Sequence, residues 1–339
     1  MGRPTSFALH AFGLLSFAAL LDSCSGGSLQ PSLLPPPQSQ AQENGHPRSV
    51  KTAGYIYVSN RTRHGTSQLL VYRAGSQDPS PMRTVTQDLV DATGVAVDSS
   101  GNVYVANGAG RNVLEFSPGG ASLVFTYSKG LVHPVGVTVS NDGTLYVTDQ
   151  GDAEYGFVQQ VFEYKIGSNM PFVIGGYGTP PQLNEGIALD SVGSGGAFFV
   201  SASAAARIPP SGDCSNADDY PLGENELPTL WGLIPLSHTD QPSGLAFDSR
   251  GNLYVADVCL KDVSIYSDVD YTWTYTGDVP GTFSVPLFLT INADILAIPS
   301  YGANTRNAGY VSVIDLSGKT SSITITNGLQ HPVGAAAFY

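Results

Sequence analysis

Three histidines occupy related positions and are candidates for metal chemistry. His133 and His331 each begin a His-Pro-Val-Gly sequence, and His238 lies just before a Gln-Pro-Ser-Gly sequence at 241–244. Three imidazole groups that lie close together can bind a catalytic zinc ion. The alternative is that each histidine caps a turn or faces solvent, and the sequence favours this alternative.

Acidic side chains outnumber basic ones. The chain has 339 residues, with 28 Asp and Glu against 15 Lys and Arg, a formal net charge of −13 and a pI near 4.6. Such a chain has no excess positive charge to neutralise phosphates, so we expect no nucleic acid partner. The acidity suits a cationic ligand or a bound calcium ion, although solubility alone also accounts for it.

The candidate residues lie beside an internal repeat that predicts β-hairpins. Its clearest copies are Thr93–Asn107, Val135–Asp149 and Ser243–Asp257. Each copy is a short apolar run, a polar turn with glycine and a second apolar run, and glycine readily takes the positive φ that such a loop needs. Asp98 and Asp248 end the first runs, where we expect them to accept backbone hydrogen bonds in the turn.

A third and a fourth strand follow each hairpin, which makes the unit a four-stranded antiparallel blade. Units of about 40–55 residues with four strands are typical of β-propellers. We therefore predict an all-β fold, a six-bladed β-propeller. The predicted second strands are Tyr55–Val58, Val103–Ala106, Leu145–Thr148, Ala197–Val200, Leu253–Ala256 and Ile295–Ile298, and the predicted first strands are Gly94–Val97, Gly136–Val139, Gly186–Leu189, Gly244–Phe247, Leu287–Ile291 and Gly334–Phe338.

The chain begins this pattern on a second strand and ends it on a first strand. We therefore predict that Gly334–Phe338 pairs with Tyr55–Val58 as the innermost strand of the first blade. This pairing would close the ring and remove an open sheet edge. Five or seven blades stay open as alternatives, because the fourth blade is irregular and the sixth begins on a weak strand.

The repeat resembles the NHL family of six-bladed propellers, relatives of the SMP-30/gluconolactonase propellers, over most of Gly54–Tyr339. The resemblance implies that the loops before the first strands share a face with the loops between second and third strands. A ligand would bind near the axis on this face, which we call the predicted ligand face. The residues that ring the axis there are Thr93, Val135, Glu185, Ser243 and Val333.

The same resemblance implies where a metal would lie. In SMP-30-like lactonases, carboxylate and amide side chains at the axis hold a divalent cation, but this chain has Val135 and Ser243 where an Asn and an Asp are expected. Glu185 remains, and one oxygen ligand does not make a calcium or magnesium site. Propeller lyases that cleave amidated peptide precursors place zinc-binding histidines after the proline, whereas His133 and His331 precede it. Both departures count against these activities.

The N-terminal residues predict export. Residues 1–24 are expected to be a signal peptide, because Arg3 precedes an apolar stretch, Ala11–Leu21, that is too short to span a bilayer. The stretch leads into Leu-Asp-Ser-Cys, which resembles a bacterial lipobox with Cys24 as the lipid-modified residue, although Asp22 departs from the pattern. Ordinary cleavage nearby is the alternative.

The remaining boundaries follow from composition. Residues 25–52 are rich in Pro, Ser and Gln and are expected to form a disordered tether, and residues 53–339 form the propeller. We expect an exported protein of the cell envelope or the extracellular space. The tether would leave the face opposite the predicted ligand face, so that the ligand face points away from the membrane.

The stretch Ser201–Trp231 interrupts the repeat with Cys214, several carboxylates and Trp231. In an oxidising compartment, Cys214 and Cys259 are candidates for a disulfide that would pin this insertion over the predicted ligand face. The alternative is two separate buried thiols. The insertion is accordingly either a functional loop or a surface decoration.

These observations favour a binding module over an enzyme. We expect a protein, peptide or glycan ligand on the predicted ligand face, a membrane contact through a lipid on Cys24, and a monomeric chain. No cofactor is predicted, although a calcium or zinc ion at Glu185 stays open. The candidate ligand-binding residues are Thr93, Glu185, Ser243, His133, His331 and Trp231.

Two other functions stay open. One is a metal-dependent hydrolase or lyase that uses Glu185 with His133, His238 or His331. The other is a purely structural surface lipoprotein, which would have no axial pocket.

Overall fold

A computed structural model of the chain describes residues 54–151, 160–176, 183–189, 198–203, 226–229, 232–269, 272–302, 308–317 and 322–339. These residues form β-strands and one short 3-10 helix, Pro118–Gly120. Within these ranges, no helix has the length and apolar character needed to cross a membrane.

The strands are short and follow one another along the whole described chain. In chain order they are β1 (Tyr55–Arg61), β2 (Ser67–Arg73), β3 (Arg83–Val85), β4 (Ala92–Val97), β5 (Val103–Asn107), β6 (Asn112–Phe116), β7 (Leu123–Tyr127), β8 (Pro134–Val139), β9 (Thr144–Asp149), β10 (Gln160–Lys165), β11 (Phe172–Gly176), β12 (Leu183–Leu189), β13 (Phe198–Ser203), β14 (Glu226–Thr229), β15 (Gly232–Pro235), β16 (Pro242–Phe247), β17 (Leu253–Asp257), β18 (Asp262–Val269), β19 (Thr272–Asp278), β20 (Thr290–Asn292), β21 (Ile295–Ser300), β22 (Tyr310–Asp315), β23 (Ile323–Ile325) and β24 (His331–Phe338).

Hydrogen bonds join these strands into four-stranded antiparallel sheets, the blades of a β-propeller. Sheet 1 has the order β24-β1-β2-β3, sheet 2 is β4 to β7, sheet 3 is β8 to β11, sheet 4 is β12 to β15, sheet 5 is β16 to β19, and sheet 6 is β20 to β23. We call β24, β4, β8, β12, β16 and β20 the inner strands.

Five sheets are fully paired blades, where the sequence predicts six. In sheet 4, β13 and β14 are joined at a single position, Phe199 with Thr229. The physical reason lies in the intervening sequence, because Ser201–Trp231 lacks the repeat that sets the register of the other hairpins. Sheet 6 begins irregularly, as expected from its weak first strand: Pro286 and Phe288 make isolated bridges before β20 begins at Thr290.

The first and last described strands lie side by side in sheet 1. β1 pairs with β24 from Tyr55 opposite Phe338 to Arg61 opposite His331, with a shift of register between Ser59 and Asn60. β1 thereby has a hydrogen-bonded neighbour on both sides, since β2 pairs with its other edge.

Apolar residues fill the space between neighbouring sheets. Val and Tyr dominate the second and third strands, and β5 and β17 are buried along their whole length. Tyr57 and Leu69 of sheet 1 pack against Val105 and Leu114 of sheet 2 in one cluster of buried side chains. Each such side chain contributes about 1.5–3 kcal/mol on burial, which explains why the strands are apolar on both faces.

Glycines allow the inner strands of neighbouring sheets to touch. A Cβ atom on Gly94 would lie 2.7 Å from the carbonyl oxygen of Val135, and one on Gly244 would lie 2.8 Å from the backbone nitrogen of Leu289. Gly334 meets the backbone of Thr93 in the same way. No side chain larger than hydrogen fits between these backbones.

We therefore expect Gly244→Ala to destabilise the protein by about 1–3 kcal/mol, because the added methyl group would push β16 away from the segment before β20. Urea unfolding followed by circular dichroism measures the change. Ser249→Ala, an exposed position in the next turn, is the matched control and should leave the midpoint unchanged. Equal midpoints for the two variants would show that the close approach does not matter.

Candidate functional site

A cavity of about 510 Å³ runs along the axis of the propeller. This volume lies within the range of about 300–1,000 Å³ that is usual for ligand sites. Its walls are the inner strands. The lining residues are Gly94–Ser99, Gly136–Asp142, Tyr146, Gly186–Leu189, Gly244–Phe247, Phe288–Asn292, Ala336 and Ala337.

An apolar cluster lies beside one end of the cavity, and Phe288 belongs to both. Val135, Leu287, Phe288 and Val333 are buried together there, with Val258 and Val285 beside them. We call this cluster the axial plug. It lies where the inner strands begin, and therefore on the predicted ligand face.

The other end of the cavity is reached between the turns that join first and second strands. Asp98 and Ser99 of one turn and Asn141 and Asp142 of another belong to its lining. We call this the hairpin face. Gly54 also lies there, because Tyr55 pairs with Phe338 at the end of β24. Among the described residues, the turns that line the cavity therefore lie on the same face as the start of β1.

The predicted axial residues Thr93 and Ser243 are buried and connect neighbouring sheets. The Thr93 hydroxyl donates to the carbonyl oxygen of Val135 at 2.8 Å, and the Ser243 hydroxyl donates to that of Pro286 at 2.9 Å. Ser59 plays a similar part, because its hydroxyl accepts from the Gly334 amide at 2.8 Å and donates to the Thr93 carbonyl. These contacts are structural, and a role of Thr93 or Ser243 in ligand binding stays a prediction.

The three histidines have different surroundings. His133 Nε2 lies 3.8 Å from Asp91 Oδ2, and Asp91 also forms an ion pair with Arg61. His331 is buried and stacks on Tyr301 with ring centroids 4.6 Å apart. Burial lowers the pKa of His331, and the charges of nearby arginines lower it further.

His238 faces two carboxylates, Asp262 and Asp278. Among the described residues, this is the group whose ligand atoms are arranged closely enough to hold a metal ion, and it includes neither His133 nor His331. Burial raises the pKa of Asp262 to about 6, and the charges of Asp257 and Asp278 add to this effect while His238 opposes it. The sequence analysis named His238 as a candidate but did not name Asp262 or Asp278. The three residues belong to separate segments of the chain, so no local sequence pattern joins them.

Several predicted site residues cannot be placed. Cys24, Cys214 and Trp231 lie outside the described residues, and so does the side chain of Glu185, whose backbone belongs to β12. Cys259 is disulfide-bonded. Its pairing with Cys214 stays a prediction, because that residue is not described.

Polar residues at the ends of the second strands hold the loops on the predicted ligand face. Asp257 is fully buried and accepts from the backbone amides of Gln241 at 2.8 Å, Cys259 at 2.9 Å and Leu260 at 2.8 Å. Asp149 likewise accepts from the Val132 amide at 2.8 Å. Each carboxylate therefore orders the loop before the first strand as well as the loop after the second, which the repeat alone does not reveal.

The hairpin face carries negative charge at the mouth of the cavity. Asp98 accepts from the amides of Ser100 and Asn102, each at 2.8 Å, as the sequence predicts for this turn. Asp142 is exposed, and a hydrogen bond from the Ser140 hydroxyl holds the pKa of its carboxyl below the ordinary value, with a further contribution from Thr144. The mouth accordingly favours a cationic group at neutral pH.

Comparison with solved structures shows the β-propeller fold. The chain is similar to one chain of the nidogen–laminin complex, with a TM-score of 0.57 and 16% identity over 84% of this chain and 98% of that one. It is also similar to a protein of unknown function from Bacteroides caccae, with a TM-score of 0.58 and 12% identity over 85% and 99% of the two chains. A proposed gluconolactonase aligns with a TM-score of 0.52 and 14% identity over 82% of this chain and 89% of that one.

No protein-family model and no curated protein sequence matches the chain. The structural similarity establishes the shared architecture. Identities this low do not establish a shared activity.

Proposed function

We propose that this chain is an exported propeller that binds a peptide segment of a protein partner in its axial cavity. The observation that carries the proposal is the cavity itself, which measures about 510 Å³, has the axial plug beside one end and is lined by turn residues of the hairpin face at the other. A cavity of this size can bury the end or the tight loop of a peptide and leave the remainder of the partner outside.

The chemistry of the walls suits a peptide. The inner strands line the cavity, and main-chain hydrogen bonds to an extended chain give affinity in peptide recognition. The half-buried side chains of Thr138 and Asn292 add polar groups to the lining. That a structural relative comes from the nidogen–laminin complex is compatible with a protein partner.

The charge of the chain favours a basic peptide. The formal net charge is −13, and the exposed carboxylate of Asp142 lies at the mouth. A negative potential raises the encounter rate with cationic segments, an effect that salt screens. A partner segment that carries Lys or Arg is therefore the ligand class we propose.

To test this function, a random-peptide library would be selected against the purified chain. We expect the selected peptides to be rich in Lys and Arg. Asn292→Trp should weaken their binding about tenfold or more, because the indole fills the mouth of the cavity. Ser249→Trp places the same bulk on the same face outside the lining and should leave the affinity unchanged. Equal affinity in both variants, or binding to a glycan array alone, would contradict the proposal.

We also propose that the protein is held at a membrane by a lipid on Cys24. The support is the signal-like sequence of residues 1–24 and its Leu-Asp-Ser-Cys end. Mass spectrometry of the mature N-terminus should find a diacylglyceryl group on Cys24, and cleavage at any other residue would refute the anchor.

The third proposal concerns the ring. We propose that sheet 4 completes a ring of six NHL-type blades and that β24 closes it. Support comes from the pairing of β1 with β24, and from the contacts of β24 with β4 through Gly334 and with the segment before β20 through the Phe288–Gly334 bridge.

Deletion of His331–Tyr339 should then abolish cooperative unfolding, because it removes the inner strand of sheet 1 and exposes the edge of β1. Differential scanning calorimetry detects the loss. Deletion of residues 25–48 is the control and should leave the transition in place. A cooperative transition at an unchanged temperature in the C-terminal deletion would disprove closure.

A further inference from the structure

Three metal-ligand side chains from separate segments converge on the rim of sheet 5. His238 lies in the loop before β16, Asp262 begins β18, and Asp278 ends β19. His238 Nε2 is 3.6 Å from Asp262 Oδ2 and 4.0 Å from Asp278 Oδ1. One ligand atom from each residue lies within 4.8 Å of the other two.

These distances leave room for an ion between the groups. Both distances are longer than a hydrogen bond, so the imidazole does not donate a direct hydrogen bond to either carboxylate. Ligand atoms that lie about 2.1 Å from a zinc ion in tetrahedral arrangement are about 3.4 Å apart. The separation of 3.6 Å between His238 and Asp262 matches this value closely.

Asp262 supplies an independent indication of a ligand. Its Oδ1 atom is buried and has no hydrogen-bond partner. A buried carboxylate oxygen without a partner costs free energy, which a bound cation would offset. Asp257 lies close enough to act on Asp262 electrostatically, so three carboxylates face at most one imidazolium.

Neighbouring groups hold the ligands in place. The Ser264 hydroxyl donates to Asp278 Oδ1 at 3.2 Å. The Tyr275 ring lies against the His238 imidazole, with centroids 4.5 Å apart and an angle of 32° between the planes. Supporting contacts of this kind orient the ligands of metal sites.

We infer that His238, Asp262 and Asp278 bind a divalent transition-metal cation, with zinc the best match. One imidazole nitrogen with two carboxylate oxygens suits zinc, whereas calcium and magnesium take oxygen ligands. The side chains of His238 and Asp278 are each 41% exposed, which leaves coordination positions open to water. The site lies on the rim of sheet 5 and is independent of the axial cavity and of the peptide-binding proposal.

His133, in the loop before the inner strand of sheet 3, allows a comparison within the protein. His133 also approaches a carboxylate, Asp91, at 3.8 Å. There the guanidinium of Arg61 pairs with Asp91 and supplies the positive charge. His133 is therefore a matched control in the same protein.

Titration of the purified full chain with zinc chloride, followed by calorimetry, tests the inference. We expect binding of one equivalent, with affinity lowered at least tenfold by Asp262→Asn and unchanged by His133→Ala. Cobalt in place of zinc should give visible absorption bands that His238→Ala removes. Since Asp262→Asn removes a buried carboxylate oxygen that has no hydrogen-bond partner, the metal-free variant should melt at or above the temperature of the unmodified chain, which separates lost binding from lost folding.

Other outcomes would overturn the inference. Zinc binding of equal strength in Asp262→Asn and the unmodified chain would place any bound zinc at other residues. Loss of binding in Glu185→Gln with retention in Asp262→Asn would place the metal at the axis. An unmodified chain that binds no zinc would leave the three residues as an ordinary polar cluster.

Discussion

The inner strands of neighbouring sheets touch backbone to backbone, and the rest of the molecule is arranged around these contacts. Gly94, Gly244 and Gly334 each lie against the main chain of the next sheet, where a Cβ atom would collide. Buried hydroxyls of Ser59 and Thr93 bind carbonyl groups across the same boundary. These backbone contacts and hydrogen bonds, which burial strengthens, hold the inner strands of neighbouring sheets together.

This constraint also determines what the polar residues at the start of the inner strands do, because Thr93 and Ser243 use their hydroxyl groups to bind neighbouring strands. Where the strands approach, hydroxyl groups are used between sheets and apolar side chains form the axial plug. Farther along the same strands the backbones separate, and the cavity appears. The proposal that the cavity binds a peptide rests on this part of the inner strands and on the turns beside it.

The second organising feature is the polar residue that ends a second strand. Asp257 accepts amide protons from loops on both sides of it, and Asp149 and Asn60 hold the loops before β8 and β24 in the same way. These loops supply the rim. In sheet 5 the ordered rim brings His238 beside Asp262 and Asp278. Before sheet 3, His133 lies near Asp91, which is already paired with Arg61. One loop scaffold thus supports two different local chemistries.

The sequence alone determined the class of fold and much of its register. Alternating turns with glycine and fully apolar strands specify hairpins locally, so Val103–Asn107 and Leu253–Asp257 were predictable to within a residue, as was the pairing of the last strand with β1. It also identified Asp98 as a turn acceptor, because its partners lie within four residues along the chain.

Tertiary structure alone decided where the axial cavity lies and which polar residues meet. The axial plug and the group of His238, Asp262 and Asp278 join side chains from different sheets or loops, and no local pattern encodes such distances. The repeat likewise gave no sign that Thr93 and Ser243 would use their hydroxyls on neighbouring strands. Hairpins depend on contacts a few residues apart, whereas a cavity and a metal-type cluster depend on how complete sheets pack together.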